Sequence, residues 1–230
     1  MAYLVPNLIV IALTGVLVIF IFLFTGNRKK KAEAAIRSLA DQRGWRYEPF
    51  KERLSWGYRL EGGRWTLTTQ SESSGTSVEP SQMDVAQSTR LTAPGYALPG
   101  RILLISPRTG GRGDTGSPGQ NLGELAAKWF LGDRAGRLKE IETGQAAFDN
   151  RYAVMGENPE AAMALLTAGV RERLLAWKGS APWIKAAADG LQIELKGRHI
   201  QKTDEILALT DLAEAILQDA NPSPLRNLKK

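Results

Sequence analysis

The chain has 230 residues, 43% of them hydrophobic, with a formal net charge of +6, a single histidine and no cysteine. The missing cysteines exclude a disulfide framework and thiolate chemistry, and they fit a reducing compartment. Four of the positive charges belong to the run Arg28–Lys31, which leaves only +2 for residues 32–230 and removes the basic face that nucleic-acid binding needs.

In chain order, the first feature is Leu4 to Phe24, 21 residues without a charge, of which sixteen are Leu, Ile, Val or Phe. Such a run is long enough for a helix to cross the ~30 Å core of a bilayer, and it predicts a transmembrane anchor over residues 1–27. Pro6 falls in the first turn, where a missing N–H matters little. No Lys or Arg precedes the run, and Arg28, Lys29, Lys30 and Lys31 follow it, so the positive-inside bias predicts a single pass with the N-terminus outside and the remainder cytoplasmic. The same four residues are the candidate membrane-surface site. Anionic lipid headgroups are attracted to such a cluster at about 1 kcal/mol per residue.

Residues 28–44 read as a basic juxtamembrane stalk helix: Ala32, Ile36, Leu39 and Ala40 recur at helical spacing and Gly44 stops it. Residues 45–220 are predicted to form one α+β domain. Trp45 and Tyr47 begin a first strand, and Tyr58–Glu61 and Arg64–Thr69 flank Gly62-Gly63 as a hairpin whose turn calls for positive φ. Ser71 to Gly100 is polar and weakly periodic, with edge strands indicated around Thr76–Val78 and Ser88–Thr92. Arg101 to Ser106 is a short apolar run bounded by turn residues and reads as a buried strand.

Pro107 to Gln120 is rich in Gly, Ser and Pro and predicts a flexible loop. A short helix follows, with Leu122, Leu125, Ala126, Trp129 and Phe130 on one face, and then strands at Leu138–Ile141 and Tyr152–Met155. Asn158-Pro159-Glu160 opens a helix predicted to run to Gly179, with Asn158 as cap and Met163, Leu166, Val170, Leu174 and Trp177 along one stripe. Ile184–Ala188 and Leu191–Leu195 flank an Asp189-Gly190 turn. Thr203 or Asp204 starts a last helix with Ile206, Leu209, Ala213 and Ile216 inward, and 221–230 is a tail. The fold class expected is therefore α+β: an N-terminal transmembrane helix followed by one antiparallel-dominated mixed domain.

The residues Phe148, Asp149, Tyr152 and Val154, followed by Leu165-Leu166-Thr167, carry a resemblance. In this Phe-Asp-x-x-aromatic-x-Val strand leading into a Leu-Leu-Thr helix, the chain resembles bacterial single-span membrane-anchored proteins of unknown function. About 30 residues carry it. The resemblance implies a bacterial inner-membrane location and the same architecture, and brings no catalytic residues with it.

Motifs for chemistry are sparse. Gly111-Arg112-Gly113-Asp114-Thr115-Gly116 spells G-x-G-x-x-G, but Ser117-Pro118 follows where a dinucleotide site needs a helix N-terminus. No lysine-bearing phosphate loop is present. Thr115 stands where a nucleophile elbow around Ser117 needs glycine. His199 reads as a solvated loop histidine rather than the base of a triad. Asp149, Glu157 and Glu160 do not converge as metal ligands. No catalytic residue, metal site or cofactor is therefore assigned. The leading expectation is a membrane-tethered, non-catalytic interaction or accessory module with an unidentified protein partner and no nucleic acid. One alternative is a phosphorylated-ligand-binding enzyme or sensor using Arg101, Arg108, Gly111, Arg112, Gly113 and Gly116. The other is an anionic-lipid sensor.

Overall fold

The computed structural model describes residues 28, 30–73, 85–96, 98, 102–108 and 138–219. Helix α1 (30–43) packs Ile36, Leu39 and Ala40 inward, the latter two lying three and four residues after the first as one helical face requires. It ends where Gly44 takes φ 67°: Trp45 N–H donates to the Ala40 carbonyl at 2.8 Å and Gly44 N–H to that of Asp41 at 3.3 Å. This pair of bonds satisfies the last carbonyls and turns the chain directly into the sheet.

Among the described residues the sheet has nine strands in the order β1-β2-β3-β4-β9-β8-β5-β7-β6, every pair antiparallel. They are β1 (Arg46–Lys51), β2 (Ser55–Gly62), β3 (Trp65–Ser73), β4 (Val85–Ala93), β5 (Leu103–Pro107), β6 (Lys139–Glu140), β7 (Tyr152–Gly156), β8 (Trp183–Ala187) and β9 (Gly190–Lys196). Period-two alternation puts Tyr58, Leu60, Trp65, Leu67, Leu91, Ile193, Ile184, Ile105 and Val154 on one buried face. The opposite face of β1 to β4 and β9 carries charge ladders, with Arg46 against Glu61, Arg59 against Glu48 and Arg90 against Glu194. A small apolar cluster of Ile102, Leu104, Leu138 and Ala187 occupies the β5–β8 end.

Both edges are blunted. Glu52 N–H donates to Ser55 at 2.7 Å, so the even-numbered positions of β1 bond to β2 and the odd ones face outward. Pro49, at an odd position, removes an outward donor in mid-strand, and β6 is two residues long.

The helices α2 (Ala146–Arg151), α3 (Pro159–Leu165), α4 (Ala168–Ala176) and α5 (Thr203–Asp219) complete the described chain. Helix α5 crosses the buried face of the sheet with Ile206, Leu209, Leu212, Ala213 and Ile216 fully buried. Each Leu or Ile buried this way contributes about 1.5–3 kcal/mol.

This architecture corrects the expected fold class. No helix among the described residues is long and apolar enough to cross a membrane. The longest, α5, has 17 residues, about 25 Å at 1.5 Å each, and carries Asp204, Glu205, Asp211 and Glu214. The membrane, transmembrane and single-pass character read from Leu4–Phe24 therefore has no counterpart among the described residues. That run lies outside the described residues. Hydropathy measures how readily a segment would leave water, and the described helices spend their apolar stripes on the sheet instead.

Smaller corrections follow the same logic. The β2–β3 turn is Gly63-Arg64, one residue later than expected, and neither Gly62 nor Gly63 has positive φ. The β8–β9 turn is Ala188-Asp189, with Gly190 (φ 117°) opening β9 because a Cβ there would lie 2.6 Å from the Ala93 carbonyl oxygen. The polar strand at Ser88–Thr92 is interior, between β3 and β9. Phe148 and Asp149 are helical, so the strand begins only at Tyr152. The helix expected from Asn158 to Gly179 is two helices, broken at Leu166 where Thr167 caps afresh by accepting from Val170 N–H. The break leaves Met163 exposed while Leu166, Val170 and Leu174 stay buried. The edge strand at Thr76–Val78 and the helix through Trp129 lie outside the described residues.

Candidate functional site

The two ends of the β2–β4 meander differ in how their polar groups are used. At the end where β9 runs into α5, a buried network fastens the Arg198–Ile200 turn to the sheet. Thr89 Oγ1 donates to the Arg198 carbonyl at 2.8 Å and lies 2.9 Å from Thr69 Oγ1. Tyr58 donates to the Ile200 carbonyl at 2.8 Å. Ser71 Oγ lies 2.9 Å from His199 Nδ1, and the imidazole meets the Tyr58 ring edge to face, 6.2 Å between centroids.

His199 is thus half-buried and bonded, not solvated. With Ser71 only 3% exposed, the pair fastens a turn and presents no nucleophile to solvent. Burial raises the Tyr58 hydroxyl above its ordinary range, so it is a donor throughout the physiological range. Arg198 completes the arrangement by forking onto both carboxylate oxygens of Glu205, at 3.0 and 2.9 Å.

At the opposite end lies a groove of about 900 Å³, between the end of α1, the β2–β3 turn, the chain leaving β4 and the end of α5. Its floor is Trp65, whose ring lies so close to Gly62 that a Cβ there would sit 2.5 Å from Trp65 Cζ2. Trp45 meets this indole edge to face at 5.0 Å, and Trp65 Nε1 points to Glu214 at 3.5 Å. One wall is Pro94-Gly95-Tyr96, a turn closed by Tyr96 N–H donating to Ala93 at 3.2 Å, followed by Leu98, which is tied to the Ala187 carbonyl. Leu217 of α5 lines the groove as well.

The rim is charged. Arg46 and Glu61 pair at 3.7 Å. Arg64, in the β2–β3 turn, is exposed and forms no ion pair or hydrogen bond among the described residues. The Tyr96 side chain is 8% exposed and its hydroxyl likewise makes no bond among the described residues; burial pushes its pKa up. Gly44, Gly63 and Gly95 leave backbone accessible along the lining. A volume of this size suits a compact ligand or the tip of a peptide.

The sequence-predicted site residues do not gather here. Arg108 Nε donates to the carbonyls of Asp149 at 2.7 Å and Tyr152 at 3.3 Å, and its guanidinium pairs with Glu140. It braces the α2–β7 junction. Arg101, Gly111, Arg112, Gly113 and Gly116 lie outside the described residues. Arg28, Lys30 and Lys31 are exposed in and before the first turn of α1, and Lys29 is outside the described residues. The Asp149 carboxylate accepts from the Thr143 N–H at 3.1 Å and hydroxyl at 2.8 Å. No cluster of three or more metal-ligating side chains occurs among the described residues.

Reading the sequence alone missed the groove because its parts come from four separated stretches. The one local signal was Gly62-Gly63-Arg64-Trp65, a turn carrying both a cation and a large aromatic side chain. No protein-family model matches the chain, and no curated protein matches it.

Proposed function

We propose that this protein is a non-catalytic binding module that receives a segment of a partner protein in the groove beside the β2–β3 turn. The observation that carries this reading is the groove's lining. Trp65, Tyr96, Arg46 and Arg64 are of the residue types that concentrate binding energy at protein interfaces. The Arg64 guanidinium and Tyr96 hydroxyl stand there without partners among the described residues. Elsewhere, polar side chains that sit this close to the core are spent on the fold, as at Ser71, Thr89 and Asp149.

The alternative built on a phosphorylated ligand draws no support from Arg108, which holds two carbonyls and Glu140. The test is co-purification of partners with the tagged full chain, beside Arg64→Glu and Tyr96→Phe variants of unchanged unfolding midpoint. A stoichiometric partner retained by the native chain and lost from both variants supports the module. A partner held equally by all three, or none at all, removes it.

A further inference from the structure

We infer that the groove selects a partner segment bearing a carboxylate side chain, which docks on Arg64. This inference rests on the protein-binding reading above and names the chemistry of the occupant. The argument begins with charge. Among the described residues three charged side chains line the groove, and two of them, Arg46 and Glu61, already face each other across the β1–β2 ladder at 3.7 Å. The third, Arg64, forms no ion pair among the described residues. Its guanidinium presents a planar fork of donors that matches a carboxylate in two parallel hydrogen bonds.

The second strand of the argument is the backbone. Gly63 immediately precedes Arg64 and Gly95 precedes Tyr96; both glycines are exposed, and open space surrounds the position a Cβ would take at each. An extended peptide can therefore lie with its main chain against these glycines. The Tyr96 hydroxyl, protonated because burial disfavours the phenolate, serves as a second donor to such a segment. An acidic side chain thus reaches the rim while the peptide body lies over Pro94 and Leu98.

The experiment presents the full chain with a positional-scanning library of hexapeptides, acetylated and amidated so that side chains carry the only carboxylates. Fluorescence anisotropy reads binding. The expected result is selection of Asp or Glu over Asn or Gln at one position by about tenfold, abolished in Arg64→Ala. In Arg64→Glu, selection at the same position passes to Lys or Arg. No acidic selection, or selection that Arg64→Ala leaves intact, overturns the inference. Inorganic phosphate at the peptide's own concentration displacing it as well as excess peptide does would also overturn it, in favour of a simple anion site. If the library shows no acidic preference while the co-purified partner is still lost from Arg64→Glu, only the carboxylate assignment falls. If partner and preference are both absent, the module reading falls with it. A chain ending at Asp219 that selects as the full chain does excludes the C-terminal residues as the source of selectivity, whereas selection that disappears on truncation overturns the placement on Arg64.

Discussion

The two ends of the β2–β4 meander are built from similar residue types and do opposite things with them. At the β9–α5 end, Tyr58, Thr69, Ser71, Thr89 and His199 exchange hydrogen bonds with one another or with turn carbonyls. At the β2–β3 turn, Tyr96 and Arg64 line an open groove without partners among the described residues. Helix α5 links the two ends, starting at the bonded turn and delivering Leu217 to the groove. The contrast teaches where to look for function. A buried hydroxyl that loses its partner costs the fold about 1–3 kcal/mol, so such groups are paired for stability. Polar groups at a groove mouth keep contact with water and remain available to a ligand.

This comparison breaks most directly by removing what both ends share. Leu91 is fully buried in β4 between Leu67 of β3 and Ile193 of β9, and Leu91→Ala should cost about 2–5 kcal/mol, lowering the urea midpoint and loosening amide protection at both ends alike. Loss confined to one end would show that the ends fold independently.

Alkaline pH probes the buried, hydrogen-bonded tyrosines. Burial raises the Tyr58 hydroxyl, and Tyr152, whose hydroxyl donates to Leu174 at 3.0 Å, is pushed up to about 12 from an ordinary 10.0. Both groups are neutral in the fold and ionise more readily when unfolded. Their stabilisation is therefore complete below pH 10 and is lost as pH rises from 10 through 12. Urea midpoints measured across that window should fall, and Tyr58→Phe with Tyr152→Phe should flatten the slope.

Next in size, Thr89→Val keeps the shape but removes the hydroxyl shared by Thr69 and the Arg198 carbonyl. It should cost about 1–3 kcal/mol and speed amide exchange in the Arg198–Ile200 turn, leaving the groove unaltered. Equal exchange at Tyr96 would contradict the separation of the two ends. The smallest stability effect belongs to the groove itself. Arg64→Ala and Tyr96→Phe should each leave the unfolding free energy within about 0.5 kcal/mol while weakening partner binding. A large destabilisation by either would return that residue to the structural class.

What was legible early is what local chemistry decides. Gly44 stops α1 because its backbone reaches φ 67°, and Asn158 caps α3 through its own oxygen, which accepts from Ala161 N–H at 3.0 Å. The stripe Ile206, Leu209, Ala213 and Ile216 is visible in spacing alone and is buried. Less legible was the break between α3 and α4. Periodicity runs smoothly through Leu166 and Thr167, but Arg151 donates to the carbonyls of Leu175 and Trp177, and Tyr152 to that of Leu174. Those bonds fix the end of α4 from outside the segment. His199 was read as solvated because nothing near it in sequence reveals Ser71, 128 positions earlier.

The sequence by itself determined the stop of α1 at Gly44, the cap of α3 at Asn158, the presence of the two hairpins though not their turn residues, and the alternation that separates a buried sheet face from a charged one, because caps and two-residue periodicity act over a few neighbours. Tertiary structure alone decided that the Ser88–Thr92 strand is interior, that Arg108 braces a junction, and that the stretches at Gly44, Arg64, Tyr96 and Leu217 enclose one groove. Each of those outcomes depends on which distant strand or carbonyl arrives alongside, and that is set by closing the nine-stranded sheet around a shared core.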